Sequence, residues 1–122
     1  MKTTTNSLPG TLLADGPHES LGDHASTFGR LIGSWVGEYH DPRPDGMETG
    51  PMEVHFAWAL QGRAVQDTWI APTLDSTEDQ RNLLNRDMCG STVRVFDRDK
   101  GLWRSEWFDP GKAIAARWSG GM

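Results

Sequence analysis

The sequence predicts an all-β protein, an antiparallel meander of strands that curves into a β-barrel behind a short N-terminal helix. Six tryptophans occur in 122 residues, and five of them lie inside runs that alternate between apolar and polar side chains. Fourteen glycines and seven prolines provide turns between those runs. A large amphipathic ring in nearly every strand is typical of strands that enclose one aromatic interior.

A leader and one helix precede the strands. Residues 1–23 are rich in Thr, Ser, Gly and Pro without apolar periodicity, which predicts a flexible leader. Residues 24–122 form the predicted domain, which opens with a helix over residues 25–32. Because this helix is too short to be stable alone, we expect it to cover the end of another element. Its apolar side consists of Phe28, Leu31 and Ile32.

The first three strands follow the helix. Alternation with period two covers residues 34–40, 51–60 and 63–71. Residues 41–46 read DPRPDG, a dense turn signal between the first two strands. Residues 61–62 form a tight Gln-Gly connection, so the second and third strands are predicted to pair as a hairpin.

The remaining strands follow a long connection. Residues 72–87 are mostly polar, which predicts a loop with one helical turn over residues 78–85. This loop exceeds the usual length of a hairpin connection, so we expect it to act as a lid or mouth loop. The last three strands are predicted over residues 90–97, 102–108 and 113–119.

The number of predicted strands bears on closure of the barrel. A barrel filled by its own side chains usually closes at about eight strands, and the sequence predicts six. An open sheet ending near Trp118 would expose an apolar edge. We therefore expect the domain to be incomplete at its C-terminus. The favoured explanation is truncation, and the alternative is a homodimer in which a second copy completes the sheet.

Three motifs carry a resemblance to a known group of proteins. The segment LIGSWVGE at residues 31–38 resembles the opening of calycin-type barrels, where a Gly-x-Trp strand follows a capping helix. LQGR at residues 60–63, VFD at 95–97 and LWR at 102–104 resemble motifs of an uncharacterised bacterial lipocalin-like family. The resemblance covers residues 28–118. It implies a barrel of about eight to ten strands whose cavity binds a small molecule.

A more distant resemblance links residues 31–38 to the nitrobindins, whose barrels open on a similar Leu-x-Gly-x-Trp pattern. Members of that family bind haem through a histidine close to the C-terminus. This sequence has no histidine after His55, so the residues present do not provide that ligand. The resulting expectation is a protein without a cofactor.

Composition and charge exclude several classes of protein. A net charge of −5 and a pI near 5.2 argue against nucleic acid or a membrane surface as partners. Cys89 is the single cysteine and is expected to be a small buried hydrophobe, and no Cys/His spacing resembles a metal site. No apolar run reaches the ~20 residues of a membrane helix. Residues 1–16 lack a signal-peptide core, so we expect a cytoplasmic protein.

Aromatic residues of the predicted strands form the candidate site. The faces with more apolar area are expected to wall a cavity for a small hydrophobic ligand, with one arginine as a charged anchor. Polar strand residues such as Asp67, Arg104 and Glu106 are more typical of a solvated face. The alternative is a polar lumen in which arginine pairs with a carboxylate. The predicted ligand-binding residues are Trp35, Tyr39, Phe56, Trp58, Arg94, Trp103 and Trp107.

No catalytic motif stands out. Glu53 and His55 share one face of their strand, but the hairpin register places His55 beside Thr68 rather than Asp67. The three ionisable residues would therefore form a loose general acid–base set, and a surface histidine is the favoured interpretation of His55. Because Trp69 shares its face with Asp67, we expect only three or four of the six tryptophans to point inward.

Four functions follow from the predicted barrel, in order of preference. The first is a binding protein for a small hydrophobic or aromatic ligand. The second is an enzyme on the same scaffold, a cyclase, isomerase or hydrolase of a hydrophobic metabolite. Such a barrel can catalyse by shaping its substrate, so the lack of a motif leaves this question open. The third is an interaction module that dimerises through its sheet edge, and the fourth is a haem carrier.

Overall fold

A computed structural model describes residues 7–111 in full and residues 114–121 through their backbone. Most of this part of the chain forms one seven-stranded antiparallel sheet, which confirms the all-β prediction. The sheet does not close on itself within the described residues, so the barrel remains a prediction. The strands are β1 Leu13–Ala14, β2 Gly33–Arg43, β3 Gly46–Ala59, β4 Ala64–Ala71, β5 Met88–Asp97, β6 Leu102–Asp109 and β7 Ile114–Gly121.

Strands β2 to β6 each pair with the next strand along the chain, as the predicted meander requires. The β2–β3 hairpin is longer than predicted, since pairing continues to Arg43 opposite Gly46. Pro42 lies inside β2 even though proline cannot donate a ladder hydrogen bond. Proline is tolerated at sheet edges, and β3 is the one described strand that pairs with β2. The predicted turn residues therefore continue two strands instead of ending them.

The connection between β3 and β4 covers residues 60–63, and three of these four residues have left-handed backbone angles. Leu60, Gln61 and Gly62 all have positive φ angles, of 51°, 62° and 81°. A side chain at Gly62 would overlap the carbonyl oxygen of Gly16, and the Gly62 carbonyl accepts a hydrogen bond from the His18 N–H at 2.9 Å. This turn therefore requires glycine both for its backbone angle and for the close approach of the N-terminal segment.

The N-terminal segment is more structured than the predicted flexible leader. Within residues 7–23, β1 pairs with the end of β3 and Leu60 donates its N–H to the Leu12 carbonyl at 2.8 Å. Leu21 is 3% exposed. Composition alone did not reveal this order, because the segment gains it from backbone bonds to β3 and from one buried leucine.

Short helices accompany the sheet. The helix predicted over residues 25–32 is a 3₁₀ segment followed by one α-helical turn, and it ends at Gly29. The helical turn predicted in the long connection is present, capped where Thr77 and Gln80 exchange hydrogen bonds of 3.1 and 2.7 Å. None of the described helices is long and apolar enough to cross a membrane. The helices are α1 Leu8–Leu12, a 3₁₀ helix Glu19–Ala25, α2 Ser26–Gly29 and α3 Glu78–Leu83.

The core lies where the N-terminal segment covers one end of the sheet. Its buried members come from distant parts of the chain: Leu21, Trp58, Val65 and Trp103. Phe28 of α2 packs edge-on against Trp103, with ring centroids 5.1 Å apart. Apolar burial here removes large side chains from water, the dominant favourable term in folding. As expected, the short helix covers the end of another element.

Candidate ligand-binding site

The described tryptophan side chains all lie on one face of the sheet. Residues directly opposite each other across two strands share a face, as do residues two apart along a strand. Val54 is opposite both Trp35 and Trp69, and Thr92 is opposite both Asp67 and Trp107. We call this surface the aromatic face. It carries Trp35, Tyr39, Phe56, Trp58, Asp67, Trp69, Arg94, Phe96, Trp103 and Trp107.

All seven predicted ligand-binding residues lie on the aromatic face. Trp69 lies on this face with the other described tryptophans, and its neighbour Asp67 lies there too, paired with Arg94. A signal for this was present in the sequence. The register that places His55 opposite Thr68 also places Val54 opposite Trp69. The side chains of Arg117 and Trp118 lie outside the described residues.

One end of the aromatic face is filled by its own side chains. Trp58 is 7% exposed and Trp103 is 3% exposed, so these two predicted site residues form a floor rather than an open wall. Phe96 contacts Trp103 at 5.4 Å between centroids and stacks on His24 at 4.2 Å. Within the described part of the chain, the buried indole N–H of Trp103 has no hydrogen-bond partner. A ligand that reached the filled end of the face could accept a hydrogen bond from this indole N–H.

A buried ion pair borders this filled end. Arg94 donates through Nη1 to Oδ2 of Asp67 at 2.6 Å, and the Asp67 side chain is fully buried. The other carboxylate oxygen accepts the backbone N–H of Thr92 at 2.8 Å. The Arg94 guanidinium also lies 5.1 Å from the centre of the Phe28 ring and 5.5 Å from that of Phe56. A guanidinium has five N–H donors, so a pair held this way can still orient a polar group of a ligand.

The middle of the aromatic face is the open part. Trp35, Val54, Trp69 and Gly90 are successive cross-strand neighbours on β2 to β5, and the Trp107 ring lies against the Gly90 backbone. We call these five residues the aromatic row. Trp35 is 51% exposed, and its indole N–H donates to the Leu31 carbonyl at 2.8 Å, which fixes the ring. Trp69 and Trp107 are partly exposed. The row therefore presents three indole rings to solvent.

The opposite end of the aromatic face is charged. Glu48 accepts the Tyr39 hydroxyl at 3.0 Å and the backbone N–H of Asn85 at 3.0 Å, which ties the loop before β5 to the β2–β3 hairpin. Arg86 pairs with Asp41 and lies 5.0 Å from the centre of the Tyr39 ring. Sequence analysis missed this cluster, because its members are distant in the chain. A cavity of about 340 Å³ beside it is lined by Asp41, Arg43, Asn85, Arg86, Asp87, Met88, Asp109 and Gly111.

Three ionisable groups of this cluster have shifted pKa values, and in Arg86 the hydrogen bond to the Asp41 carboxylate raises the pKa. Burial of the Tyr39 phenol, together with its hydrogen bond to the Glu48 carboxylate, raises the pKa of Tyr39 to about 12. The backbone N–H of Asn85 is the main cause that lowers the pKa of Glu48. Tyr39 is therefore a neutral donor and Glu48 an ionised acceptor near neutral pH. Each holds the other in place.

The other face of the sheet carries different side chains. His55 and Glu53 lie there, whereas Asp67 lies on the aromatic face, so the loose acid–base set considered from the sequence does not assemble. Cys89 is exposed, contrary to the expectation of a buried residue, and it lies on this outer face opposite Ile70. Among the described residues, no group of three or more His, Cys, Asp or Glu side chains is placed to hold a metal ion.

Comparisons with models of protein families, with curated proteins and with solved structures found no match to this chain.

Proposed function

We propose that this protein binds a small aromatic or hydrophobic molecule on its aromatic face. The observation that carries the proposal is the aromatic row, in which the partly exposed rings of Trp35, Trp69 and Trp107 share one surface beside the Asp67–Arg94 pair. One of these indole rings is exposed and two are partly exposed, and all three lie in one row across the sheet. Clustered aromatic surface of this kind is characteristic of ligand sites.

The neighbours of the row suggest the chemistry of the ligand. Indole rings favour a flat, unsaturated molecule that can stack or pack edge-on. Arg94 favours a hydrogen-bond acceptor or an anionic group at the filled end of the face. In this proposal the sheet is one wall of a lipocalin-like barrel in the cytoplasm. The barrel and the cytoplasmic location both rest on the sequence resemblance and composition.

A pair of fluorescent probes tests the proposal. The first is 1-anilinonaphthalene-8-sulfonate, and the second is N-phenyl-1-naphthylamine, which has the same rings without the sulfonate. We expect both probes to quench tryptophan fluorescence saturably, and the sulfonate to bind more tightly. Trp69→Leu should weaken the binding of both probes by about fivefold, since one aromatic contact contributes roughly 1 kcal/mol.

A matched control distinguishes binding on the aromatic face from nonspecific binding of the probes to any exposed ring. Phe108 is a large exposed ring on the outer face, so Phe108→Leu should leave both affinities unchanged. A double variant, Asp67→Asn with Arg94→Gln, should remove the preference for the sulfonate without leaving an unpaired buried charge. Equal loss of binding in Phe108→Leu and Trp69→Leu, or no saturable quenching at all, would argue against a site on this face.

A further inference from the structure

A second cluster of reactive side chains lies on the outer face, across β2 and β3. Ser34 is directly opposite His55, and its Oγ lies 2.8 Å from Nδ1 of the imidazole. The other ring nitrogen, Nε2, lies 2.7 Å from Oε1 of Glu53. Glu53 stands two residues before His55 on the same strand, so the sheet places all three side chains in one row. A hydroxyl, an imidazole and a carboxylate are thereby linked in sequence.

Charge on Glu53 decides which nitrogen of His55 carries the proton. Oε2 of Glu53 accepts the Leu74 backbone N–H at 2.9 Å, and the hydrogen bonds from His55 and Leu74 lower the pKa of Glu53. An ionised carboxylate only accepts hydrogen bonds, so it selects the tautomer with a proton on Nε2. Nδ1 is then left as an acceptor for the Ser34 hydroxyl. This is the arrangement of a nucleophile, its general base and a residue that positions the base.

We propose that Ser34, His55 and Glu53 form a hydrolytic site for small esters on the outer face. Ser34 Oγ attacks the ester carbonyl carbon while its proton passes to Nδ1 of His55. The bond to the alkoxy oxygen breaks, and the alcohol leaves with that proton. Water then attacks the acyl-serine and gives a proton to Nδ1, and the acid departs as the proton returns to Ser34 Oγ. The net reaction is ester plus water to acid plus alcohol.

The surroundings suit a short apolar acyl group. Val36 is opposite Glu53 and 86% exposed, and Leu74, whose backbone holds Glu53, is 69% exposed. Val36 is therefore the cross-strand neighbour of Glu53, and Leu74 contacts Glu53 through its backbone. Alternate residues of β2 point their backbone N–H groups away from β3, the one described strand that pairs with β2. Such N–H groups can stabilise the negative charge that develops on the carbonyl oxygen.

The same strands carry a natural comparison. His40 stands beside Glu38 and Thr49 on the same face, but its Nε2 is 3.8 Å from the Glu38 carboxylate and its Nδ1 is 3.4 Å from the Thr49 hydroxyl. The hydroxyl, imidazole and carboxylate of this trio match the groups of the proposed site, whereas both distances to the imidazole are too long for strong hydrogen bonds. His40→Gln is therefore the control for nonspecific imidazole catalysis.

The test uses p-nitrophenyl acetate as substrate and records both rate and labelled residue. We expect turnover by the full chain, loss of about 100-fold in Ser34→Ala and His55→Gln, and no change in His40→Gln. Rapid acid quenching followed by peptide mass spectrometry should place an acetyl group on Ser34. Ser34→Cys retains a nucleophile at the same position and should still be acetylated, which guards against a folding defect in the alanine variant.

Glu53 acts through His55, so its test needs a second readout. In Glu53→Gln we expect a slower rate together with loss of the Nε2–H tautomer preference in the imidazole ¹⁵N spectrum of His55. The proposal is overturned if Ser34→Ala hydrolyses the ester as fast as the unmodified chain, or if the acetyl group is found only on other residues. Either result leaves the proposed ligand site intact, because no residue of the aromatic face takes part.

Discussion

Arg94 on β5 and Asp67 on β4 form an ion pair of 2.6 Å between Nη1 and Oδ2, in which the carboxylate is fully buried. The pair lies on the face that carries the tryptophans. A buried carboxylate without its partner is strongly unfavourable, because neither water nor another cation replaces the lost interaction. This relationship gives the first prediction.

Arg94→Leu should lower the free energy of unfolding by about 3–5 kcal/mol, as measured by urea denaturation. Arg104 pairs with Asp97 at 3.0 Å, but these side chains are 39% and 22% exposed. Arg104→Leu should therefore cost at most about 1 kcal/mol. The double variant Asp67→Asn with Arg94→Leu should recover most of the loss, since the amide oxygen can still accept the Thr92 N–H. Similar losses from the two single arginine variants would contradict this account.

Gly90 gives a second prediction. A methyl group at Gly90 would overlap the six-membered ring of Trp107, so Gly90→Ala forces that ring from its place. We expect destabilisation of about 1–3 kcal/mol and weaker binding of both fluorescent probes. Gly37 lies on the same face with no atom within 4 Å of its added Cβ, so Gly37→Ala is the matched control. Equal stability of the two variants would count against the ring-on-backbone contact.

Tyr39 gives a prediction about alkaline pH. Burial and the Glu48 hydrogen bond raise the pKa of Tyr39 to about 12, above the ordinary value near 10. Because the folded chain holds this proton more tightly, the associated stability is complete below pH ~10 and is lost as the pH rises towards about 12. Tyr39 is the single tyrosine, so the ultraviolet absorbance of tyrosinate reports on it alone.

Two measurements check this assignment. Spectrophotometric titration should give a midpoint well above that of free tyrosine, and urea unfolding should show a fall in stability over the same pH range. Tyr39→Phe should remove the part of this pH dependence of the unfolding free energy that comes from the phenol. A titration midpoint near 10 in the folded chain would show that the phenol is not held by Glu48.

Glu48 gives a prediction about the loop before β5. Its carboxylate accepts the backbone N–H and the side-chain amide of Asn85, both at 3.0 Å. Glu48→Ala should therefore speed hydrogen exchange at Asn85 and Arg86. Because these bonds lower the pKa of Glu48, the protection is present above the ordinary glutamate pKa and is lost as the pH falls through the folded value. Glu38 is exposed and serves as the control, for which Glu38→Ala should leave the exchange unchanged.

Much of the strand plan was determined by the sequence itself. Period-two runs placed β2 to β7 within a few residues of their observed positions, and the Gln-Gly pair located the β3–β4 turn. Alternation works because the backbone of a strand sends successive side chains to opposite faces. Even the helical turn at α3 was predictable, since Thr77 and Gln80 form a local capping pair. These features depend on neighbours in sequence.

Tertiary structure alone decided which side chains meet. Asp67 and Arg94 are 27 residues apart, and Ser34 and His55 are 21 apart, so no local pattern could show that either pair would form. Alternation fixes the faces within one strand, but register between strands fixes which faces combine. The tight β3–β4 turn makes the pairing of Val54 with Trp69 readable from the sequence, whereas the β4–β5 register that places Asp67 opposite Thr92 follows a long connection. Burial depends further on what covers each end of the sheet. The sequence therefore determined the strands and their aromatic content, whereas long-range pairing divided the aromatic face into a filled floor, an open row and a charged end.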